Sequence, residues 1–242
     1  MSKKCIELSL GTSHFTEANE IVREALAQAD TVVIREAFAQ RYLGCGMSKG
    51  KTLKIHGVPG NDMACYLDGG AIEVFGNVQD QIGNTMDDGE IIIHGRCGDA
   101  AGYGMRGGKI FIRDDCGWRV GIHMKQYGQK SPVIVIGGDA GRFLAEYMAG
   151  GVILLLGEAG EHLGTGMHGG VVYLKNRISS DHIPQGLVQE PIDDKDRSVI
   201  EALLVEYNEL YSKDGVSVDT TADGFFRLRP CSSRPYEAMY AN

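Results

Sequence analysis

Seven histidines, six cysteines and thirty-two acidic side chains are the residues of this chain that could do chemistry, and their spacing decides what chemistry that would be. His56 and His94 fall at the same place in a 19-residue repeat, two turns apart with Phe75 between. Stacked coils rise about 4.8 Å each, so the rings stand roughly 10 Å apart, too far to ligate one ion at about 2 Å. The other five histidines share no repeat position with one another. Cys97 and Cys116 stand one period apart, as do Cys45 and Cys65 once an extra residue before Thr52 is allowed for. Stacked thiols come within disulfide range, yet the Cys97 position continues as Pro59, Val78, Ala140 and Ala159, a small apolar series. Buried, inert thiols are therefore expected.

Carboxylates are better placed. Asn61, Asp80, Asp99, Trp118, Arg142 and Glu161 share one turn position, so Asp80 and Asp99 could share a proton or a calcium ion beside Arg142, as in a carbohydrate-active β-helix enzyme. Asparagine and aspartate are also the ordinary residues of turns. Glycine-rich stretches such as Gly102–Gly108 are not phosphate loops, because no Gly-Lys-Ser/Thr follows and each leads into a strand. A Gly-x-Ser-x-Gly nucleophile elbow is absent as well. No catalytic, cofactor-binding or metal-binding residue is assigned to this chain.

The elements that position these side chains form a repeat. Gly57, Gly76, Gly95, Asp114, Gly138, Gly157 and Asn176 close seven Gly-Gly-strand units at spacings of 19, 19, 19, 24, 19 and 19 residues. A fixed period near 20 is the mark of a solenoid. Aligned at that period, Ile72, Ile91, Ile110, Ile134, Ile153 and Val172 form one column, and Val74, Ile93, Ile112, Ile136, Leu155 and Leu174 a second, two residues on. Alternation at period two buries one face of each strand, and stacking in register makes a parallel sheet. Met63, Ile82, Ala101, Val120, Leu144 and Leu163 imply a second inner wall. Leu67, Met86, Met105, Met124, Met148 and Met167 read as core filler, not a soft-metal ladder. At Ala64, Gly83, Gly102, Gly121, Ala145 and Gly164 a larger side chain would strike the wall, or the backbone turns with positive φ. Five extra residues within Lys125–Ser131 bulge as a loop, a candidate contact point or a drifted turn.

Around the repeat, residues 1–40 read as a β-α-β cap with a helix over about 16–29, and Val32-Val33-Ile34 is close enough to the repeat to seed it. The solenoid occupies 41–176. In the extension 177–242, Val199, Ile200, Leu203, Leu204, Tyr207 and Leu210 predict a helix over about 193–211, led by Asp193-Asp194 and folded back on the solenoid. The end, Gly224–Tyr236, is apolar and basic together, suited to docking on a partner or to packing on its own domain. A net charge of −8 without a basic stripe argues against nucleic acid. No apolar run approaches the roughly 20 residues of a membrane helix, and no secretory signal is visible, so a cytoplasmic protein with reduced thiols is expected.

The repeats Asp99–Ile110 and Glu161–Gly170, with their recurring Gly-x-Gly-x-x-Gly-Gly, resemble the GXGXG domain at the C-terminus of the glutamate synthase large subunit, itself similar to a subunit of formylmethanofuran dehydrogenase. The resemblance covers the cap helix and all seven units. It implies a right-handed parallel β-helix, a handedness that spacing leaves open. It further implies an organising role without an active site. FMN and an iron-sulfur cluster would sit on partners, namely a flavin-dependent glutamate synthase-like subunit and a glutamine amidotransferase-like subunit of a split synthase. A structural subunit of a formylmethanofuran dehydrogenase-like complex is the alternative, and self-association is left open.

Overall fold

The computed structural model describes residues 4–232. Nine strands run parallel: β1 (Cys5–Leu8), β2 (Thr31–Phe38), β3 (Thr52–Val58), β4 (Asp68–Phe75), β5 (Asp88–Ile93), β6 (Lys109–Ile112), β7 (Val133–Ile136), β8 (Ala149–Leu155) and β9 (Gly169–Leu174). They stack in sequence order as one sheet, to which β10 (Leu187–Pro191) and β11 (Phe226–Pro230) add in the order β9-β11-β10. The expected columns are the strand registers: Ile72 pairs Ile91, Ile91 pairs Ile110, Ile110 pairs Ile134, and so to Val172. Both inward columns are buried throughout, as are the second wall and the methionine column. The chain is a parallel β-solenoid whose interior is a stack of similar apolar layers, each Ile or Leu worth roughly 1.5–3 kcal/mol in burial.

The stack holds eight rungs, β2 to β9, one more than the seven units read from the repeat. β2 lies in register with β3 through Thr31–Thr52, Val32–Leu53 and Ile34–Ile55. The 21-residue step from Thr31 to Thr52 breaks the 19-residue period and hides the first rung. The β-α-β start is present, with helix α1 (Phe15–Gln28) crossing between the paired strands β1 and β2. His14 caps α1, and Ala18, Val22, Ala25 and Leu26, at helical spacing, close the core at this end.

At the other end the parallel stack stops because β11 runs antiparallel to β9 and carries β10 on its far side. The apolar and basic end of the chain therefore packs on its own domain through Phe226–Pro230. Its last residues, 233–236, lie outside the described residues. Helix α2 (Asp194–Tyr211) starts at a capping box in which Asp193 and Asp196 satisfy each other's backbone N–H groups. It lies on the outside of the sheet. There the outward positions of β5 to β9 are Ile92, Phe111, Val135, Leu154 and Tyr173, which form a second core with Ile200, Leu203, Leu204, Tyr207 and Tyr211. Among the described residues no helix is long and apolar enough to cross a membrane.

Candidate functional site

The acid column is a hydrogen-bond ladder. Asn61 Oδ1 accepts from the Asp80 N–H (3.3 Å), Asp80 Oδ1 from the Asp99 N–H (2.9 Å) and Asp99 Oδ1 from the Trp118 N–H (2.7 Å), each side-chain oxygen tying its turn to the next coil. A second ladder runs alongside through Asn77, Asp115 and Asp139. Arg142 pairs instead with Glu161 (3.1 Å) and lies over the Trp118 ring. Cys97 and Cys116 bridge adjacent coils in the column that continues through Ala140 and Ala159. Burial holds the Cys97 thiol well above its ordinary pKa and lifts Cys116 to about 12, so neither thiolate is available at neutral pH. Cys65 is lifted to about 12 by burial and by its hydrogen bond with Cys45, which is exposed. Among the described residues no three His, Cys, Asp or Glu side chains converge as metal ligands, and no four-thiolate set fits an iron-sulfur cluster.

His56 and His94 sandwich Phe75 with ring centroids at 4.6 and 4.9 Å. The two histidines differ in what else they meet. His56 faces the Arg35 guanidinium at 3.2 Å, and burial followed by that charge lowers its pKa. His94 has Glu73 Oε1 at 3.3 Å from Nε2 and Asp214 Oδ2 at 2.5 Å from Nδ1. Burial opposes a charge on His94, yet the two carboxylates outweigh it and its pKa is raised. Imidazolium is the form that satisfies both acceptors. Glu73 is held down at about 2 by His94 and then by Lys54, which pairs with it at 2.6 Å. Arg113 adds a second cation to Asp214 at 3.3 Å. The cluster pins the turn after α2 to the sheet, beside the Tyr211 hydroxyl that donates to the Ile93 carbonyl at 3.1 Å. A matching clamp holds the start of α2, where Tyr173 donates to Asp196 and Arg227 bridges Asp193, Asp196 and Glu190.

The glycine-rich corner has its own backbone rule. In each coil three residues spaced by two take left-handed φ, as at Ala100 (56°), Gly102 (67°) and Gly104 (59°). The middle one faces inward, and a Cβ on Gly102 would sit 2.6 Å from Ile134 Cδ1. Both readings of the small-residue column thus hold together. The outer two carry side chains in most coils: Arg119 (58°), Phe143 (62°) and His162 (64°) at the first position, and Tyr66 (56°), His123 (54°) and Tyr147 (52°) at the last. These rings gather on the surface. His123 stacks on Tyr147 at 5.3 Å and meets the Tyr103 edge at 5.8 Å, Phe143 stacks on His162 at 4.7 Å, and Arg119 lies over Phe143. No single column contains them all, so an alignment read one column at a time does not reveal the cluster. The Lys125–Ser131 loop leaves from this same coil. It is a two-residue turn closed by mutual backbone bonds of Tyr127 and Lys130, with Gly128 at φ 60°.

The corners of this parallel solenoid repeat one alternation of left-handed residues, filled by Gly-x-Gly at Gly44–Gly46, Gly102–Gly104 and Gly164–Gly166. The chain belongs to the GXGXG motif family, which matches residues 13–217. It is also similar to an uncharacterized protein of Methanocaldococcus jannaschii, 53% identical over 144 residues, which is 58% of this chain and 55% of that protein. The chain thus matches about half the length of this relative.

Proposed function

We propose that this chain is a non-catalytic organising subunit of a glutamate synthase-like complex, holding a flavin-dependent synthase subunit and a glutamine amidotransferase-like subunit in nitrogen assimilation. Membership of the GXGXG family along the whole solenoid carries this reading. The placement of the polar residues supports it: Asp80 and Asp99 each direct an oxygen to a backbone N–H, and Arg142 is paired with Glu161. Side chains so engaged hold coils together. FMN and the iron-sulfur cluster belong, on this reading, to the partners. The test is reconstitution with the flavoprotein and amidotransferase-like subunits of the same organism. Glutamine-dependent glutamate formation should require all three chains, and a chain that neither binds those subunits nor changes their coupled rate would defeat the reading.

A further inference from the structure

Two pairs of cysteines are stacked one coil apart, and the structure treats them differently. Cys97 and Cys116 lie in a column that continues as small apolar residues, Ala140 and Ala159, and both are buried. Sulfur there fills the core. The position of Cys45 and Cys65, one residue after the inward small-residue column, continues as Asn84, Tyr103, Ile122, Glu146 and Thr165. No packing rule of the solenoid calls for a small apolar side chain at it, yet two adjacent coils carry a thiol there. Cys45 is exposed, and Cys65 beneath it is 4% exposed.

The two coils are locked together at this point, the Ala64 N–H donating to the Leu43 carbonyl and the Gly46 N–H to the Cys65 carbonyl, both at 2.9 Å. A coil-to-coil step of about 4.8 Å falls within the Cα separation of about 4.4–6.8 Å that a disulfide spans, and the two thiols already meet in a hydrogen bond. Cys45 opens onto a cleft of about 490 Å³ between α1 and the first coil. Val22, Leu26 and Met47 give the cleft its apolar lining, Arg23 and Lys51 are its charged residues, and among the described residues no acid lines it. Lys51 is engaged with Asp30 at 3.5 Å and with the Ala29 carbonyl at 2.9 Å. Arg23 gives Nε to the Asn19 carbonyl at 3.2 Å, and among the described residues its guanidinium has no carboxylate partner. An apolar cleft with such a cation suits a small molecule that bears a carboxylate.

We propose that Cys45 and Cys65 form a thiol-disulfide exchange site for an anionic low-molecular-weight disulfide held in the α1 cleft. The Cys45 sulfur attacks one sulfur of the reagent, the S–S bond of the reagent breaks, and a mixed disulfide on Cys45 forms while the first small thiol leaves with the Cys45 proton. The Cys65 sulfur then attacks the Cys45 sulfur, its own proton leaves with the second small thiol, and a disulfide between Cys45 and Cys65 remains. The protein gives up two electrons and two protons, and the reagent takes up both. Exposure sets the order of the steps, because the reagent must reach the sulfur that attacks it. Burial lifts the Cys65 thiol to about 12, so it is a poor nucleophile toward anything in solution, but its attack on Cys45 is intramolecular. The product joins the first coil to the second at the mouth of the cleft.

The experiment incubates the reduced full-length chain with glutathione disulfide, which is anionic, and separately with neutral hydroxyethyl disulfide, stops each reaction by alkylation and locates the products by peptide mass mapping. Glutathione disulfide should yield the bond between Cys45 and Cys65 in the wild-type chain and leave Cys97 and Cys116 free for alkylation after unfolding. Cys65→Ala should trap glutathione on Cys45, at a rate about tenfold or more above that at the exposed Cys5 and Cys231. Arg23→Gln should slow the reaction with glutathione disulfide about threefold or more and leave the rate with the neutral reagent within about twofold of wild type. A wild-type chain that stays reduced or stops at the mixed disulfide overturns the proposal, and so does a Cys45 that reacts no faster than Cys5 and Cys231. An Arg23→Gln variant that reacts with glutathione disulfide as wild type does removes the anion from the cleft and overturns the proposal too.

Discussion

The α2-covered sheet face and the glycine corner are two outward strips of one solenoid, built at the same period, and they treat large side chains in opposite ways. On the sheet face Phe111, Leu154 and Tyr173 are buried because a helix of the same chain lies on them. At the corner Tyr103, His123 and Tyr147 pack ring against ring, with both tyrosines 41% exposed. The backbone differs too. Strand positions on the sheet face accept any β-forming side chain, whereas corner positions with positive φ favour glycine. A large residue under α2 is buried, whereas Tyr147 at the corner packs on His123 and against Gly166 of the next coil and stays 41% exposed.

Substitutions on the two strips should therefore separate cleanly. Phe111→Ala, which empties a fully buried site beneath α2, should cost about 3–5 kcal/mol and lower the midpoint of a urea unfolding curve accordingly. An equal loss at Tyr147 would erase the contrast between the strips. His94→Gln should cost about 2 kcal/mol near pH 6 by removing the imidazolium shared by two carboxylates, each of which keeps one other cation, Lys54 or Arg113, and the cost should depend on pH. His94 has a raised pKa in the folded protein, so its contribution is complete below 6.5 and lost as pH rises through the folded value. Glu73 and Asp214 have lowered pKa values, so theirs is present above the unfolded values of 4.5 and 3.8 and lost on acidification, for Glu73 near pH 2. Melting temperature measured against pH should decline on the alkaline side for wild type and stay flat there for the variant. Asp99→Ala, which frees the Trp118 N–H, should cost about 1 kcal/mol in the same unfolding assay. The smallest effect is expected from Tyr147→Gly, within about 1 kcal/mol of wild type, because relief of the left-handed backbone offsets the lost stacking on His123.

The interior was legible in the sequence because each inward position recurs at a fixed step, so Ile72, Ile91 and Ile110 announce one another. The helices were legible from their own periodicity, α2 beginning one residue inside its expected start. What escaped had no periodic signature. The strand at Val32 and Ile34 was expected to seed the repeat, and only its standing as a full rung is hidden behind a 21-residue step. His94 and Asp214 are 120 residues apart and meet only because α2 runs back along the sheet. The outward column Ile92, Phe111, Val135, Leu154 and Tyr173 did carry a usable signal, since five apolar residues on the far face of a sheet require a cover. Reading that column beside Lys54 and Glu73 would have placed α2.

The order in which the rungs pair has a consequence for how the chain is made. From β3 to β9 every strand pairs with the one 19 to 24 residues before it, so each new coil leaving a ribosome can settle at once on a finished template. The end closes by another route. β11 reaches β9 across 52 residues, Phe226 opposite Leu174, and α2 is threaded between them in sequence. During that interval the β9 edge is unpaired and the apolar column from Ile92 to Tyr173 faces water, which makes the nearly complete solenoid, not the nascent one, the species most exposed to aggregation during synthesis.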